Sequence, residues 1–242
     1  MWISTLPKRF IFRMVYYEDC SLFFKDGELR AKNSLQNQKC HQTSHAEIVS
    51  RRGEQGILTP SGRVINDHVA FYFSPITGMA YAIHRGSVPL VDPNGTVLRQ
   101  ATMDDRVFFV ANTNRFRDAG LTFWFSDIAC NARAPLPKFD NNLDNLKTHI
   151  AWDLYDETPI IGAVPEIGYA GVTKYFRNFD TPERYQSRSQ KRMAEFLVQD
   201  AIPLSMFDCI ITKSDWIREE IRRMMKGTGF DLPVHSKPGC YF

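Results

Sequence analysis

The sequence has no long apolar run, and this absence excludes a membrane-spanning helix. No stretch of about 18 apolar residues occurs among the 242 residues. The N-terminal stretch MWISTLPKRFIFRMVYY carries basic residues without the continuous apolar core of a signal peptide. We therefore expect a cytoplasmic protein with no membrane partner.

Cysteine is scarce and scattered. The five cysteines are an odd number and form no CxxC pair, which argues against a disulfide framework. The stretch CHQTSH places Cys40, His41 and His45 close together, but a metal centre needs about four ligands. Because no second cluster supplies the remaining ligands, we expect no metal.

Several widespread catalytic and nucleotide-binding motifs are also missing. The chain contains no Walker loop, GxGxxG, HExxH or GxSxG, so these motifs give no support to a Rossmann cofactor site, a zinc protease or a serine hydrolase. It also contains no internal repeat and no low-complexity linker. We expect residues 1–242 to form a single domain.

The apolar segments predict many strands and few helices. Segments rich in aromatic and β-branched residues predict strands at 9–17, 68–75, 106–112, 121–127, 194–198 and 207–212, with an edge strand in the tail 232–242. Helices are predicted within 18–29, 76–86, 143–155 and 214–227, and Asn94-Gly95 predicts a hairpin within 88–100. Residues 30–56 are predicted to be irregular. Without βαβ alternation, this pattern favours an α+β fold.

Positive charge is concentrated in residues 174–192. This segment has six cations and two anions, a net charge of +4 against +3 for the whole chain, and aromatic residues are interleaved with the cations. Cationic side chains that contact successive phosphates, together with aromatic rings that stack on bases, are typical of a surface that binds single-stranded nucleic acid. A solvated loop with aromatic residues turned to the core explains the composition equally well.

One carboxylate, Glu195, opens the apolar run EFLV and directly follows this segment. A buried glutamate needs a partner for its charge. From spacing alone, a structural pair with Lys191 or Arg192 is the simpler interpretation. Arg52, beside Arg51, similarly allows either a functional guanidinium fork or an ordinary surface arginine.

Four segments in order resemble the DarT-type DNA ADP-ribosyltransferases, which are toxins of bacterial toxin–antitoxin systems. RMAEFLV (192–198) is similar to the family signature that contains the catalytic glutamate, and SRRGEQGI (50–57) is similar to its arginine segment. NDHVAFYFSPITGMAYAI (66–83) and FRMVYYEDCSLFFKDGEL (12–29) resemble two further family segments.

The resemblance implies an ADP-ribosyltransferase-like α+β fold, with central mixed or antiparallel sheets flanked by short helices. It implies that NAD is the co-substrate, that ADP-ribose passes to a base of single-stranded DNA, and that Glu195 and Arg52 are catalytic. It places NAD beside Arg13, Met14, Val15, Arg52, Tyr72, Met79 and Tyr81. It assigns acceptor selection to a loop at about 174–192, with DNA contacts from Lys174, Tyr175, Arg177, Arg184, Tyr185, Arg188, Lys191 and Arg192. A cognate antitoxin, an ADP-ribosyl hydrolase, is also implied, and we expect a monomer.

The chain departs from the family pattern at the first strand. Arg13 and Tyr16 stand where histidines are common, Asp19 replaces an asparagine, and Ala70 and Gly78 replace prolines. These departures suggest a longer, divergent branch, which makes guanine a somewhat better expectation than thymine. The alternatives are transfer to RNA or protein, hydrolysis of NAD, or a nucleic-acid-binding module without catalysis.

Overall fold

The computed structural model describes residues 8–36, 38–43, 46–53 and 57–242. Its strands are β1 Phe10–Tyr16, β2 Glu28–Arg30, β3 His68–Tyr72, β4 Pro89–Val91, β5 Val97–Gln100, β6 Arg106–Asn112, β7 Phe123–Ser126, β8 Phe139–Asp140, β9 Ile160–Ile161, β10 Val172–Thr173, β11 Glu195–Gln199, β12 Ala201–Pro203, β13 Cys209–Thr212 and β14 Val234–Ser236. Its α-helices are α1 Cys20–Asp26, α2 Ala46–Gly53, α3 Gly78–His84, α4 Leu146–His149, α5 Arg188–Lys191 and α6 Asp215–Met225.

Eight strands form the main sheet, in the order β14-β13-β6-β1-β3-β11-β7-β8. Neighbouring strands are antiparallel except β13 and β14, so the sheet is mixed. Together with the short helices, this sheet confirms the predicted α+β class. The predicted edge strand in the tail is β14.

The alternation along β11 determines where the glutamate points. Phe196 and Val198 are fully buried in the main core, whereas Leu197 belongs to a second, smaller cluster with Ile65 and Cys130. Because successive side chains of a strand point to opposite faces, Glu195 projects on the same side as Leu197. The sheet therefore directs the carboxylate towards the smaller cluster.

The helices predicted within 18–29 and 214–227 are present as α1 and α6. The Ser214 hydroxyl accepts a hydrogen bond from the Ile217 backbone N–H at 3.3 Å, as an N-cap should. Ile217, Ile221 and Met225 form the buried face of α6. At the other end of the chain, α1 stops where Gly27 adopts a φ of +75°, a conformation that glycine tolerates without strain.

The prediction that residues 30–56 are irregular was wrong, because α2 lies within this segment. Few apolar residues mark this helix, and its anchorage comes from the rest of the chain. The Asn66 side-chain amide donates to the Val49 carbonyl at 3.0 Å. A polar contact with a residue distant in sequence leaves no local pattern to read.

The helix predicted at 143–155 is interrupted. Only α4 has α-helical geometry, and Ile150 is already extended, with φ −94° and ψ 139°. The Trp152 indole N–H turns back and donates to the Leu146 carbonyl at 2.9 Å. A large side chain that caps the preceding turn has therefore replaced the continuing helix.

No helix among the described residues is long and apolar enough to cross a membrane. All five cysteines are free thiols, as their spacing indicated. Within the described ranges, no three histidine, cysteine or acidic side chains are grouped as metal ligands would be. His45, a member of the CHQTSH cluster, lies outside those ranges, and His41 pairs with Asp19 through a 2.8 Å contact.

Candidate active site

Glu195 lies in the middle of the sheet, at the first position of β11. Its Cα partner across the ladder is Tyr72 of β3. Its backbone N–H donates to the Ser126 hydroxyl at 3.0 Å, and that hydroxyl donates to the Ile128 carbonyl at 2.7 Å. Glu195 is 1% exposed, so the sheet holds this carboxylate in a fixed and almost dry position.

Arg52 reaches the carboxylate from α2. Its Nη1 lies 3.0 Å from Oε1 of Glu195 and its Nη2 lies 2.6 Å from Oε2, which is a bidentate pair. The two residues are 143 positions apart in sequence, and the Arg52 side chain is 16% exposed. The two residues expected to be catalytic therefore meet in the fold.

The carboxylate has one oxygen with spare hydrogen-bonding capacity. Oε1 accepts from Arg52 and also from the Cys130 backbone N–H at 3.1 Å, whereas Oε2 accepts only from Arg52 among the described residues. Since each carboxylate oxygen accepts about two hydrogen bonds, Oε2 can accept one more.

The surroundings of this pair are electrostatically coupled. Burial alone would lower the pKa of Arg52, but the charge of Glu195 and its hydrogen bonds raise that pKa. Burial raises the pKa of Tyr72, and the negative charge of Glu195 adds to this effect. The site therefore presents an ion pair beside a neutral phenol.

The strands β1 and β3 provide the expected NAD side of the site. Seven backbone ladder pairs join β1 to β6, whereas one ladder pair, Phe12 with Tyr72, joins the described residues of β1 and β3. Arg13 donates to the Ala70 carbonyl at 3.0 Å, and burial, followed by the charge of Arg52, lowers the pKa of its guanidinium. Met14 is half-buried and Val15 is 8% exposed, so Val15 offers mainly its backbone.

The two predicted contacts on α3 have different surroundings. Met79 is half-buried near the start of the helix. Tyr81 packs against Phe176, with ring centroids 5.2 Å apart, and beneath the guanidinium of Arg177 at 4.6 Å. In this structure Tyr81 contacts segment 174–192, whereas the resemblance placed it beside NAD.

The cations of segment 174–192 divide into two groups. Lys174, Arg177 and Arg184 are exposed, as is the ring of Tyr175, and Lys191 is half-buried. Tyr185 is also half-buried, and its ring lies 3.9 Å beneath the Arg188 guanidinium. Only the exposed members present charge or an aromatic face outwards.

Arg188 and Arg192, predicted to contact DNA, are each 1% exposed, and in this structure they are not available to a strand. Arg188 forms an ion pair with Glu157. Arg192 donates to the carbonyls of Leu154, Tyr175 and Ile76 and to the Ser74 hydroxyl, at 2.6 to 3.2 Å. In this structure folding uses both guanidinium groups internally.

Three contributors to the site were not found in the sequence. Ser126 holds the backbone of Glu195, Cys130 donates its backbone N–H to the carboxylate, and Glu157 pairs with Arg184 and Arg188. The role of Cys130 is carried by the main chain, which any residue type supplies. Only the register of β7 against β11 brings Ser126 and Cys130 to the glutamate.

Comparison with known proteins bears on this fold and site. The chain is 24% identical over 240 residues to a DNA ADP-ribosyl transferase of Escherichia coli O127:H6 (strain E2348/69 / EPEC), covering 99% of this chain and 96% of that protein. It shares the fold of Thermus sp. 2.9 DarT in complex with ADP-ribosylated ssDNA, with a TM-score of 0.74, 22% identity and coverage of 97% and 96%. The same Thermus protein in complex with NAD+ gives a TM-score of 0.72, 22% identity and coverage of 97% and 98%.

The fold, the relative named DNA ADP-ribosyl transferase and a matching family model define the class as NAD-dependent DNA ADP-ribosyltransferases. The family model described as "ssDNA thymidine ADP-ribosyltransferase, DarT" matches residues 12–242. The chain therefore belongs to the DarT family.

Proposed function

We propose that this protein transfers ADP-ribose from NAD to a base of single-stranded DNA and releases nicotinamide, with Glu195 and Arg52 as the catalytic residues. The observation that carries the proposal is the geometry of the carboxylate. Arg52 and the Cys130 N–H fix it at three points and leave Oε2 one free acceptor position.

That geometry suits the charge change of the reaction. As the ribose C1′–nitrogen bond breaks, its electron pair leaves with neutral nicotinamide and positive charge develops on the ribose, as in glycoside cleavage. Oε2 of Glu195 accepts a hydrogen bond from a ribose hydroxyl and opposes this charge. The base then forms the new bond to C1′ and loses a proton.

NAD is proposed to lie against β1, β3 and α3. The backbone of Met14 and Val15 would hold the nicotinamide amide just beyond the Phe12–Tyr72 pair, where the described residues of β1 and β3 form no further ladder pair. Arg13 would contact the adenine ribose or a phosphate, with Tyr72 and Met79 along the cleft. Tyr81 would lie between NAD and segment 174–192, which packs against its ring.

The DNA strand is proposed to contact the outward-facing part of segment 174–192. Lys174, Arg177 and Arg184 would bind phosphates, and Tyr175 would stack on a base. Lys191 and Tyr185 would act at the inner edge of the segment, where both are half-buried.

The modified base is proposed to be thymine, because the description of the matched family model names thymidine. The departures from the family pattern, interpreted as signs of a longer, divergent branch, were the reason to expect guanine. None of the departing residues belongs to the Glu195–Arg52 pair, so the geometry of the carboxylate gives that expectation no support.

A biological role follows from the same resemblance. We propose that the enzyme is a cytoplasmic, monomeric toxin paired with an antitoxin that removes ADP-ribose. Growth arrest on expression of the active protein, absent with Glu195→Gln, is the expected result.

Intact-mass spectrometry of oligonucleotides tests the activity directly. Each single-stranded oligonucleotide lacks one of the four bases and is incubated with the protein and NAD. We expect an added ADP-ribose mass that disappears when thymine is omitted and does not form with Glu195→Gln.

Other outcomes would correct the proposal in specific ways. Loss of the adduct without guanine would reassign the base. Consumption of NAD without any DNA adduct would indicate a water, RNA or protein acceptor. Unchanged NAD together with normal DNA binding would leave a binding module in which Glu195 has a structural role.

A further inference from the structure

Two adjoining cavities lie beside the catalytic pair and share Arg51 and Arg133. The inner cavity has a volume of about 190 Å³, and its walls include Arg52 and the apolar side chains of Ile57, Ala132 and Leu136. The outer cavity, of about 600 Å³, is bounded by Glu47, Ser50 and the two shared arginines. We refer to the two cavities together as the Arg133 seat.

The Arg133 seat touches the active site without including the reacting group. Arg52 and Cys130 both line the inner cavity and both donate to the Glu195 carboxylate. Glu195 itself is not part of the lining. Of the residues expected to bind NAD, only Arg52 lines this cavity, so its occupant would be a neighbour of the reacting groups.

The inner cavity has the chemistry of a nucleobase site. Aliphatic walls exclude water from the faces of a base, and guanidinium planes stack on its π-surface. Leu136 is 60% exposed and so leaves the cavity open to an incoming strand. A pocket lined by three aliphatic side chains and three arginines suits the flat ring of a base, which has polar edges, better than a purely apolar ligand.

The outer cavity has the chemistry of a phosphate site. Arg51 and Arg133 give it two positive charges against the single carboxylate of Glu47. Arg133 is exposed and has no hydrogen bond or ion pair with the described residues. Arg51 is held weakly, by a 3.4 Å contact from Nε to the Glu47 carbonyl. Both guanidinium groups can therefore reorient towards a phosphate.

The Arg133 seat is also joined to the segment that precedes Glu195. The Ala129 backbone N–H, at the base of the loop that carries Cys130 and Arg133, donates to the Gln190 carbonyl of α5 at 3.1 Å. The loop that lines the seat is thus held directly against the C-terminal part of segment 174–192.

We propose that the Arg133 seat holds a nucleotide of the acceptor strand that neighbours the modified base, with its base in the inner cavity and its phosphate between Arg51 and Arg133. This inference rests on the proposed function. It assigns recognition of the flanking sequence to the loop 130–136 and to Arg51, because contacts to flanking nucleotides set sequence context in enzymes that act on an extruded base.

Substrate kinetics with altered DNA and altered protein test the base site. The substrate is an oligonucleotide that the protein modifies, carrying an abasic residue at each neighbour of the acceptor in turn. We expect one abasic position to raise KM for the oligonucleotide roughly tenfold, as expected for loss of one stacked base. With Leu136→Ala, that same position should matter much less, since the wall that the base contacts is gone.

Salt titration of binding tests the phosphate site, even for a protein that transfers nothing. Affinity of a labelled oligonucleotide is measured from low to high salt with Glu195→Gln, with and without Arg133→Gln. We expect Arg133→Gln to reduce the log–log salt slope by about 0.7, the value for one phosphate contact on a single strand.

Lys226→Gln is the matched control. Lys226 is an exposed cation at the end of α6, which packs against β13 and β14 at the other side of the sheet. Its removal should change neither the salt slope nor the abasic profile. Active transfer with an unchanged slope in Arg133→Gln and an unchanged abasic profile in Leu136→Ala would overturn the Arg133 seat while leaving the proposed function intact. Absence of DNA transfer would count against the proposed function alone, and the salt slope would still decide the seat.

Discussion

Two arginines near strand β11 differ in what their guanidinium groups bind. One pairs with a carboxylate, and the other donates to neutral groups of the fold. Arg52 approaches Glu195 from α2 and donates to both oxygens of its carboxylate. Arg192 lies three residues before Glu195 and donates to three carbonyls and one hydroxyl, with no carboxylate partner in the described part of the chain. The partner of Arg52 is a charged group with a free acceptor position, whereas every acceptor of Arg192 is already part of the fold.

The difference teaches that the charge of a segment is not the charge of its surface. Burial lowers the pKa of Arg192, which reflects the cost of keeping a cation among neutral acceptors. Such an arrangement is expected to serve the fold, because the donors tie together backbone segments that are distant in sequence. Segment 174–192 therefore has a smaller cationic surface than its composition suggests.

The largest effect on activity is expected from replacing the planar guanidinium of Arg52 with the single ammonium group of lysine. Lysine keeps the positive charge but cannot donate to both carboxylate oxygens in one plane. Arg52→Lys should therefore lower the rate of DNA transfer about a hundredfold, the order seen when a preorganised electrostatic contact is lost. Single-turnover transfer at saturating NAD is the measurement.

Arg192→Lys serves as the opposite case. It should lose stability rather than chemistry, so that transfer by the folded protein stays within a few-fold of the wild type. Equal losses of single-turnover rate in both variants would contradict the division between a functional and a structural arginine.

Removal of the Arg192 guanidinium should give the largest loss of stability. Arg192→Leu leaves the buried Leu154 carbonyl without this donor and removes one donor each from the Ile76 and Tyr175 carbonyls. Because an unsatisfied buried group costs about 1 to 3 kcal/mol, we expect the free energy of unfolding to fall by about 2 kcal/mol. Urea unfolding followed by tryptophan fluorescence measures it, and an unchanged midpoint would show that these contacts contribute little.

A smaller and pH-dependent effect is expected at Glu157. Burial acts to raise its pKa, but the Tyr185 hydrogen bond and the charge of Arg188 hold that pKa below the ordinary value of 4.5. A carboxyl group whose pKa is lower in the folded than in the unfolded protein stabilises the fold at pH values above its unfolded pKa. This stabilisation is lost as the pH falls through its folded pKa. Glu157→Gln should therefore lower stability at pH 7 and flatten the acid side of the stability profile.

A double-mutant cycle with Arg188→Leu isolates this interaction. We expect a coupling free energy of about 1 kcal/mol or more between Glu157 and Arg188, because they are in direct contact. Additive losses in the double variant would mean that Arg188 is held mainly by its packing over Tyr185.

Sequence patterns predicted what local chemistry determines. The apolar run in AEFLV and the aromatic and β-branched segment at 68–75 were sufficient to predict β11 and β3, and the helices predicted within 18–29 and 214–227 contain α1 and α6. The choice of Glu195 and Arg52 as site residues came from a family resemblance. Their pairing was not predicted, since the 143 residues between them carry no periodic signal.

The remaining features depend on contacts between distant residues. Helix α2 has few apolar residues and is anchored through Asn66, and the burial of Arg188 depends on Glu157, 31 positions away. The donor at Cys130 is a backbone group, which leaves no trace in residue type. Composition alone could not separate the cations that face outwards from those that hold the segment in place.

The smallest effects are expected from the exposed cations of segment 174–192, and they sharpen the comparison most directly. Lys174 and Arg177 face outwards, and Arg177 rests on the Tyr81 ring. If each contacts a phosphate, Lys174→Gln and Arg177→Gln should each lower the log–log salt slope of oligonucleotide binding by about 0.7 without changing the unfolding midpoint. Lys226→Gln should change neither quantity. A lowered midpoint with an unchanged slope would place these two cations with Arg192, as parts of the fold rather than of the DNA surface.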